Sequence, residues 1–310
     1  MGSPTDGIIL IDKEGGRTSY GVVKELKASL GGAKKRKVGH AGTLDPFATG
    51  LLVILVDQGT KLSPFIMSGD KVYEATLRLG VETDTLDPTG RVVRSRPVAP
   101  LEPEHIQGKA QQFVGTIDQV PPVFSAVKSG GIPAYKLARK GVKVDPKRRR
   151  VKVYSLRILS IDLPHVTMEV ACSGGTYIRS LAADLGTELG PGAHLRSLRR
   201  LASGPFRVEE ALSSRDIPPS GGSDSLRKRI IPLRDALPDM DQIEVDKFLA
   251  KKIRQGYQPE WQELPPGSRR RLCQGGYSKV VENGELVAVV GGEKMGGNDQ
   301  TRVILKRVFS

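Results

Sequence analysis

The stretch HAGTLDPFATGLLVILV, residues 40–56, joins a polar, small-residue half to an unbroken apolar half. Every side chain from Leu51 to Val56 is Leu, Val or Ile. Such a run reads as a strand buried on both faces, and Gly50 argues against a helix running into it. Asp45 then lies on a loop leading into that strand, or caps a short helix with Pro46 in its first turn. Part of the stretch recurs. TDTLDPTGRVV, residues 83–93, repeats Thr-Leu-Asp-Pro. There Asp87, Pro88 and Gly90 take the first, second and fourth places of a type I turn, between KVYEATLRLG (71–80) and the strand-like RVVRSR (91–96). A turn is a sufficient reason for Asp87, and Asp87→Asn is expected to keep most activity. The first copy places a carboxylate on a loop against a rigid strand, where reactive groups are often held.

Outward from this stretch, DGIILIDKEGG (6–16) reads as a buried strand ending in a glycine turn. TSYGVVKELKASLGG (18–32) reads as a helix capped by Thr18 or Ser19, with Val22, Val23, Leu26 and Leu30 on one face and Gly31-Gly32 as its stop. Residues 59–66 form a short amphipathic segment. In the strand 71–80, Tyr73, Ala75, Leu77 and Leu79 share a face. Residues 104–114 have helical spacing. RVKVYSLRILSIDL (150–163) and HVTMEVACS (165–173) are strands rich in β-branched residues. GGTYIRSLAADLGTEL (174–189) is a helix with Ile178, Leu181, Ala182, Leu185 and Leu189 inward. These elements predict an α+β domain with a mixed, largely antiparallel sheet flanked by helices and loops. After the loop PPSGGSDS (218–225), a compact C-terminal piece carries a helix near 245–255 and a hairpin signal at Glu282-Asn283-Gly284. It is expected to be a small β-barrel.

The chain has 310 residues, enough for one large core and a smaller domain. Its 48 Lys+Arg against 34 Asp+Glu leave a formal net charge of +14, which favours a polyanion, nucleic acid above all; a basic solvated surface is the plainer alternative. The basic stretches KKRK (34–37), 128–143 and KRRR (147–150) suit phosphate contacts. Cys172 and Cys273 stand far apart and the four histidines are scattered, so no zinc site is expected and a reduced, cytoplasmic location fits. No secretory signal opens the sequence, and its longest apolar run is too short to span a membrane.

GHAGTLDPFATGLL (39–52) resembles the catalytic-loop motif of the bacterial tRNA pseudouridine 55 synthases, the TruB family. KVYEATLRLGVETDTLDPTG (71–90), QVPPVFSAVKSGGIPAYKLARKG (119–141), CSGGTYIRSLAADLG (172–186) and GAHLRSLRRLASGPF (192–206) resemble further family blocks, in family order. Glu14 departs from the pattern, which usually has proline after Asp-Lys.

The resemblance implies a pseudouridine-synthase catalytic domain over 1–238, with an RNA-gripping insertion at about 120–150, and a PUA-like RNA-binding β-barrel over 242–310. The implied activity is isomerisation of uridine 55 in the tRNA T loop, with the target base flipped into the pocket. Asp45 would be the nucleophile, paired with Arg179. Tyr73 would lie against the base and help move a proton, Tyr177 and Leu198 would line the uridine pocket, and His40 would pack into the RNA loop. Lys13, Lys128, Arg148, Arg149 and Arg150 would meet the RNA backbone. The implied partner is tRNA, gripped at its T arm and reached at its acceptor end by the C-terminal domain, with no cofactor, metal, guide RNA or membrane, and the protein a monomer. An Asp with an ordinary pKa of about 3.9 meets the need for charge if burial does not raise it. On local pattern alone, Arg179 reads as an exposed helical arginine, Tyr73 as core and His40 as a loop hydrogen-bonder. The rival function is an RNA-binding or RNA-folding helper on the same scaffold with secondary or no catalysis, and a pure binder would not need all four of Asp45, Tyr73, Tyr177 and Arg179.

Overall fold

A computed structural model describes residues 5–310 apart from 32–35, 125–127, 130–131, 134–136, 138–141, 143–145, 220–222, 266–271 and 295–300. The apolar run Thr49–Val56 forms strand β3, next to β1 (Gly7–Lys13) and the short β2 (Val38–His40), both antiparallel to it. Alternate side chains of β3 point to opposite faces. Leu52, Ile54 and Val56 enter one apolar cluster, while Leu51, Val53 and Leu55 enter another. Two cores, one on each face, are why this strand tolerates no polar residue.

The sheet continues through β4 (Lys71–Leu79), β7 (Gly115–Gln119), β8 (Arg149–Asp162), β9 (His165–Cys172) and β10 (Ala193–Ser203). Its order is β1-β3-β10-β4-β9-β8-β7, with the piece Leu212–Ser213 outside β1. Every neighbour is antiparallel except β3 with β10 and β1 with Leu212–Ser213, so the mixed, largely antiparallel α+β sheet read from the sequence is the one observed. Where β3 meets β10, Gly50 adopts φ +98°, and a Cβ there would stand 2.3 Å from the Arg200 carbonyl oxygen. Only glycine permits that approach.

Three helices cover the first core. α1 (Ser19–Ser29) is capped by Thr18, whose hydroxyl accepts the Gly21 N–H at 2.9 Å, and it buries Val22, Val23 and Leu26. After α2 (Ser63–Ser68), a short helix beside the second core, come α3 (Pro103–Gln111) and α4 (Ile178–Glu188). The helix read at 104–114 is therefore shorter at its C-terminal end. The inward residues expected on α4 are all buried. Strands β5 (Val81–Thr83) and β6 (Val92–Ser95) pair across the second Thr-Leu-Asp-Pro.

The C-terminal piece has strands β11 (Asp241–Glu244), β12 (Tyr277–Glu282), β13 (Glu285–Lys294) and β14 (Thr301–Val308), in that spatial order, and helix α5 (Lys247–Arg254). Asn283 and Gly284 both have positive φ, 48° and 80°, the geometry a two-residue hairpin turn demands. Closure into the expected barrel is not seen among the described residues. They form a four-stranded sheet whose residues divide between two cores: Val280, Val287 and Val290 join α5 in a core of their own. Leu286, Val289 and the following Phe309 instead join Ile8, Leu10 and Leu51 in the second core. No helix among the described residues is long and apolar enough to cross a membrane.

Candidate active site

The loop from His40 to Ala48 is pinned through its backbone. The Leu44 N–H donates to the Ser19 hydroxyl, which donates back to the Leu44 carbonyl, each at 2.9 Å. The Gly16 N–H donates to the Pro46 carbonyl at 2.7 Å, and Arg200 Nη2 to the Gly42 carbonyl at 3.1 Å. The Ala48 N–H reaches the Asp45 carbonyl at 3.1 Å, one turn that continues straight into β3. The helix-cap reading of Asp45 therefore falls, and the loop reading stands. With its backbone held, the Asp45 side chain is left to face Arg179.

Arg179 opens α4 and is 5% exposed at its side chain. Its Nε stands 2.9 Å from Asp45 Oδ2 and its Nη2 donates to Asp45 Oδ1 at 3.4 Å, a two-pronged contact that fixes the carboxylate plane. The other donors are used as well. Nη2 reaches the Phe124 carbonyl at 2.9 Å, and Nη1 reaches the Thr85 carbonyl at 3.1 Å and Asp87 Oδ2 at 3.4 Å. The two Thr-Leu-Asp-Pro copies thus end on one guanidinium.

Asp87 is 6% exposed. Its carboxylate accepts from the Thr85 hydroxyl at 2.7 Å, the Thr89 N–H at 3.0 Å and the Thr89 hydroxyl at 2.6 Å. The turn expected there is present, since the Gly90 N–H also reaches the Asp87 carbonyl at 3.4 Å. The turn is not a sufficient account. The same side chain carries the second charge on Arg179, so two carboxylates share one cation.

Burial pushes the Asp45 carboxyl above its usual range and Asp87 adds to this, while Arg179 and Lys13 act against it. The condition attached to an ordinary pKa for Asp45 is therefore not met. Its side chain keeps 31% exposure, so the carboxylate is held by one arginine yet still reachable. Such a group can attack an electron-poor carbon or stabilise a cation developing beside it.

Tyr73 lies on β4, half-buried against the first core. Its strand partners are Val170 and Arg200. Tyr177 precedes α4, and its backbone is held at both polar atoms by Gln119, at 2.8 and 3.0 Å. Leu198 is 8% exposed, on β10 within the first core. His40 ends β2, and its Nδ1 is buried with no hydrogen-bond partner among the described residues; burial and then Arg200 push its pKa down. The loop hydrogen-bonder reading of His40 is not supported at that atom.

Lys13, expected at the RNA backbone, is not at the surface. It is 0% exposed, and its Nζ donates to the carbonyls of Glu14 and Arg17, both at 2.8 Å, and of Pro46 at 3.3 Å. Burial lowers its pKa to about 8, with Asp45 opposing. Its ammonium is engaged by three backbone carbonyls beneath the loop. Arg148, Arg149 and Arg150 are exposed, and Arg150 stands 3.9 Å from Asp118. Arg36, in the first basic run, is 3.5 Å from Asp57. The Lys128 side chain, and residues 34 and 35, lie outside the described residues. Sequence reasoning missed Ser19, Gln119, Asp87 and Arg200 as parts of the site. The repeated tetrapeptide and the Leu-Arg-Arg triplet at 198–200 were the available signals.

Comparison with known proteins bears on the same residues. The family described as "TruB family pseudouridylate synthase (N terminal domain)" matches residues 30–178, and "tRNA pseudouridylate synthase B C-terminal domain" matches 179–238. A Syntrophus aciditrophicus protein named tRNA pseudouridine synthase B is 46% identical over 289 residues, 92% of this chain and 90% of its own. A Geobacter sulfurreducens protein of the same name is 41% identical over 308 residues, 98% of this chain and 100% of its own. The solved structure titled "Crystal Structure of a Cbf5-Nop10-Gar1 Complex" contains a similar chain, with TM-score 0.74 and 26% identity over 99% of this chain and 85% of that one. The Asp45–Arg179 pair joins residues from both matched segments, and with two relatives similar over nearly their whole length, this chain belongs to the TruB family of pseudouridylate synthases.

Proposed function

We infer that this protein converts uridine 55 in the T loop of tRNA to pseudouridine, with Asp45 as the nucleophile. The observation that carries this reading is the Asp45–Arg179 contact, in which a reachable carboxylate is oriented at both oxygens by one guanidinium. The reaction breaks the N1–C1′ bond, turns the base and joins C5 to C1′. C5 then loses its hydrogen and N1 gains one, so product and substrate have the same atoms. Asp45 meets the electron-poor centre as sugar and base separate. Tyr73 lies against the base and handles a proton, while Tyr177 and Leu198 bound the pocket.

A uridine in a folded arm must leave its stack first, at a cost of a few kcal/mol. His40, whose pKa burial pushes down, suits packing into the space the base leaves. Arg148, Arg149 and Arg150 are exposed and would contact phosphates; the C-terminal sheet would reach the acceptor end. Relatives named for tRNA, more similar than the Cbf5 chain, support a protein that works as a single chain without guide RNA. The test is incubation with an unmodified tRNA transcript, followed by carbodiimide treatment and primer extension. A stop at position 55 is expected. Tight RNA binding with no modified position would favour an RNA-folding helper instead.

A further inference from the structure

Arg200 is the largest fully buried side chain among the described residues, 2% exposed. A buried guanidinium is ordinarily matched by a carboxylate. Arg200 has none among the described residues. It is held by neutral oxygens instead: Nε donates to the Leu51 carbonyl at 2.7 Å and Nη2 to the Gly42 carbonyl at 3.1 Å. Its backbone is fixed equally well, since Arg200 is registered against Gly50 of β3 on one side and Tyr73 of β4 on the other. Residues directly opposite on neighbouring strands project to the same face. The cation is therefore placed on the same face as Tyr73 by the strands themselves and held there by the Gly42 and Leu51 carbonyls.

We propose that Arg200 is a positioning residue for the proton-transfer half of the reaction, backing the Tyr73 hydroxyl with a fixed positive charge while that oxygen takes the hydrogen from C5. This rests on the reading of the protein as a uridine isomerase. Once C5 has bonded to C1′, its C–H bond must break. The bonding pair restores the C5–C6 double bond, electrons from N1=C6 move to N1, and N1 takes a proton from solvent. The Tyr73 hydroxyl must first release its own proton to solvent, passing through negative charge, and the C5 proton then restores the neutral phenol. Burial opposes that charge at Tyr73, whereas the Arg200 charge favours it. The other groups acting there are Cys172 of β9 and Asp45 of the loop, and both oppose it. Arg200 is thus the one cation that offsets burial at this oxygen among the groups acting on it. Its charge also reaches His40, Lys13 and Lys71 and disfavours their protonation.

The test compares the unaltered protein with Arg200→Lys, Arg200→Met and Tyr73→Phe, on T-arm RNA carrying protium or deuterium at C5 of the target uridine. Single-turnover rates are measured at saturating RNA. The expected result for Arg200→Met is near-parental RNA affinity and a rate loss of roughly 10²-fold or more. Its C5 isotope effect should be larger than the parent's, with Arg200→Lys recovering part of the rate. If the methionine variant does not fold, the lysine variant decides alone, by a slower rate with a raised isotope effect. Adding Arg200→Lys to Tyr73→Phe should cost nothing further. A lost rate with an unchanged or smaller isotope effect would mean that Arg200 acts only through the Asp45 loop, and would overturn the proposal. Full additivity with Tyr73→Phe would overturn it too. Absence of pseudouridine from the unaltered protein would instead remove the functional reading, and this proposal with it.

Discussion

Asp87→Asn separates a turn residue from a charge partner. Asn keeps an oxygen for the Thr85 and Thr89 donors, which approach one carboxylate oxygen at 2.6 to 3.0 Å, and it suits the first place of a turn. The other oxygen, 3.4 Å from Arg179 Nη1, becomes an NH₂ facing another donor. Arg179 is not stranded, because Asp45 still pairs with it at 2.9 Å. The loss is therefore that of one buried charge-assisted hydrogen bond, about 1.5–3 kcal/mol, and not that of an unpaired buried ion. With a urea dependence of about 3 kcal/mol per molar for a chain of this size, the unfolding midpoint should fall by about 0.5–1 M. The same change acts on Asp45. Asp45 must be ionised to work, its pKa is raised, and the Asp87 charge is one cause. Activity is lost as pH falls through that pKa, so removing the Asp87 charge should move the acid limb to lower pH. Urea titrations at pH 7 and rate profiles across the acid limb measure both effects. A variant matching its parent in midpoint and acid limb would return Asp87 to the role of a plain turn residue.

Asp45→Asn should abolish pseudouridine formation while leaving tRNA affinity near the parent's, measured by primer extension and filter binding. Arg179→Ala should lose at least roughly 10²-fold in rate, and Arg179→Lys should recover only part, because lysine restores charge without the planar fork. Changing Arg148, Arg149 and Arg150 together to alanine should flatten the plot of log affinity against log salt, by about 0.9 for each phosphate that is no longer neutralised. Lys13→Met, which removes a buried cation, should destabilise the protein and leave that slope unchanged. Gly50→Ala, whose methyl would stand 2.3 Å from the Arg200 carbonyl oxygen, should fail to accumulate as folded protein in a soluble-expression and circular-dichroism comparison.

What the chain states locally could be read without coordinates. The apolar run of β3, the Thr18 cap, the inward stripe of α4 and the Asn283-Gly284 turn all depend on neighbours a few residues away, and periodicity reports such neighbours directly. Asp45, Arg179 and Tyr73 were legible only because their motifs resemble a family; locally, Arg179 was an exposed helical arginine and it proved buried. The tertiary structure alone decided which charges meet. Asp45, Asp87 and Arg179 come from three distant segments, and the order β3-β10-β4 together with the start of α4 brings them within hydrogen-bonding reach. Lys13 is expected at the RNA backbone, yet three carbonyls close over it. The C-terminal sheet reads as a separate module, yet Phe309 and Val289 complete a core begun by Ile8 and Leu10. Hydrophobic pattern specifies which face is buried; what that face is buried against, and which polar atoms are trapped at the seam, follows from strand order. No stretch of sequence records it.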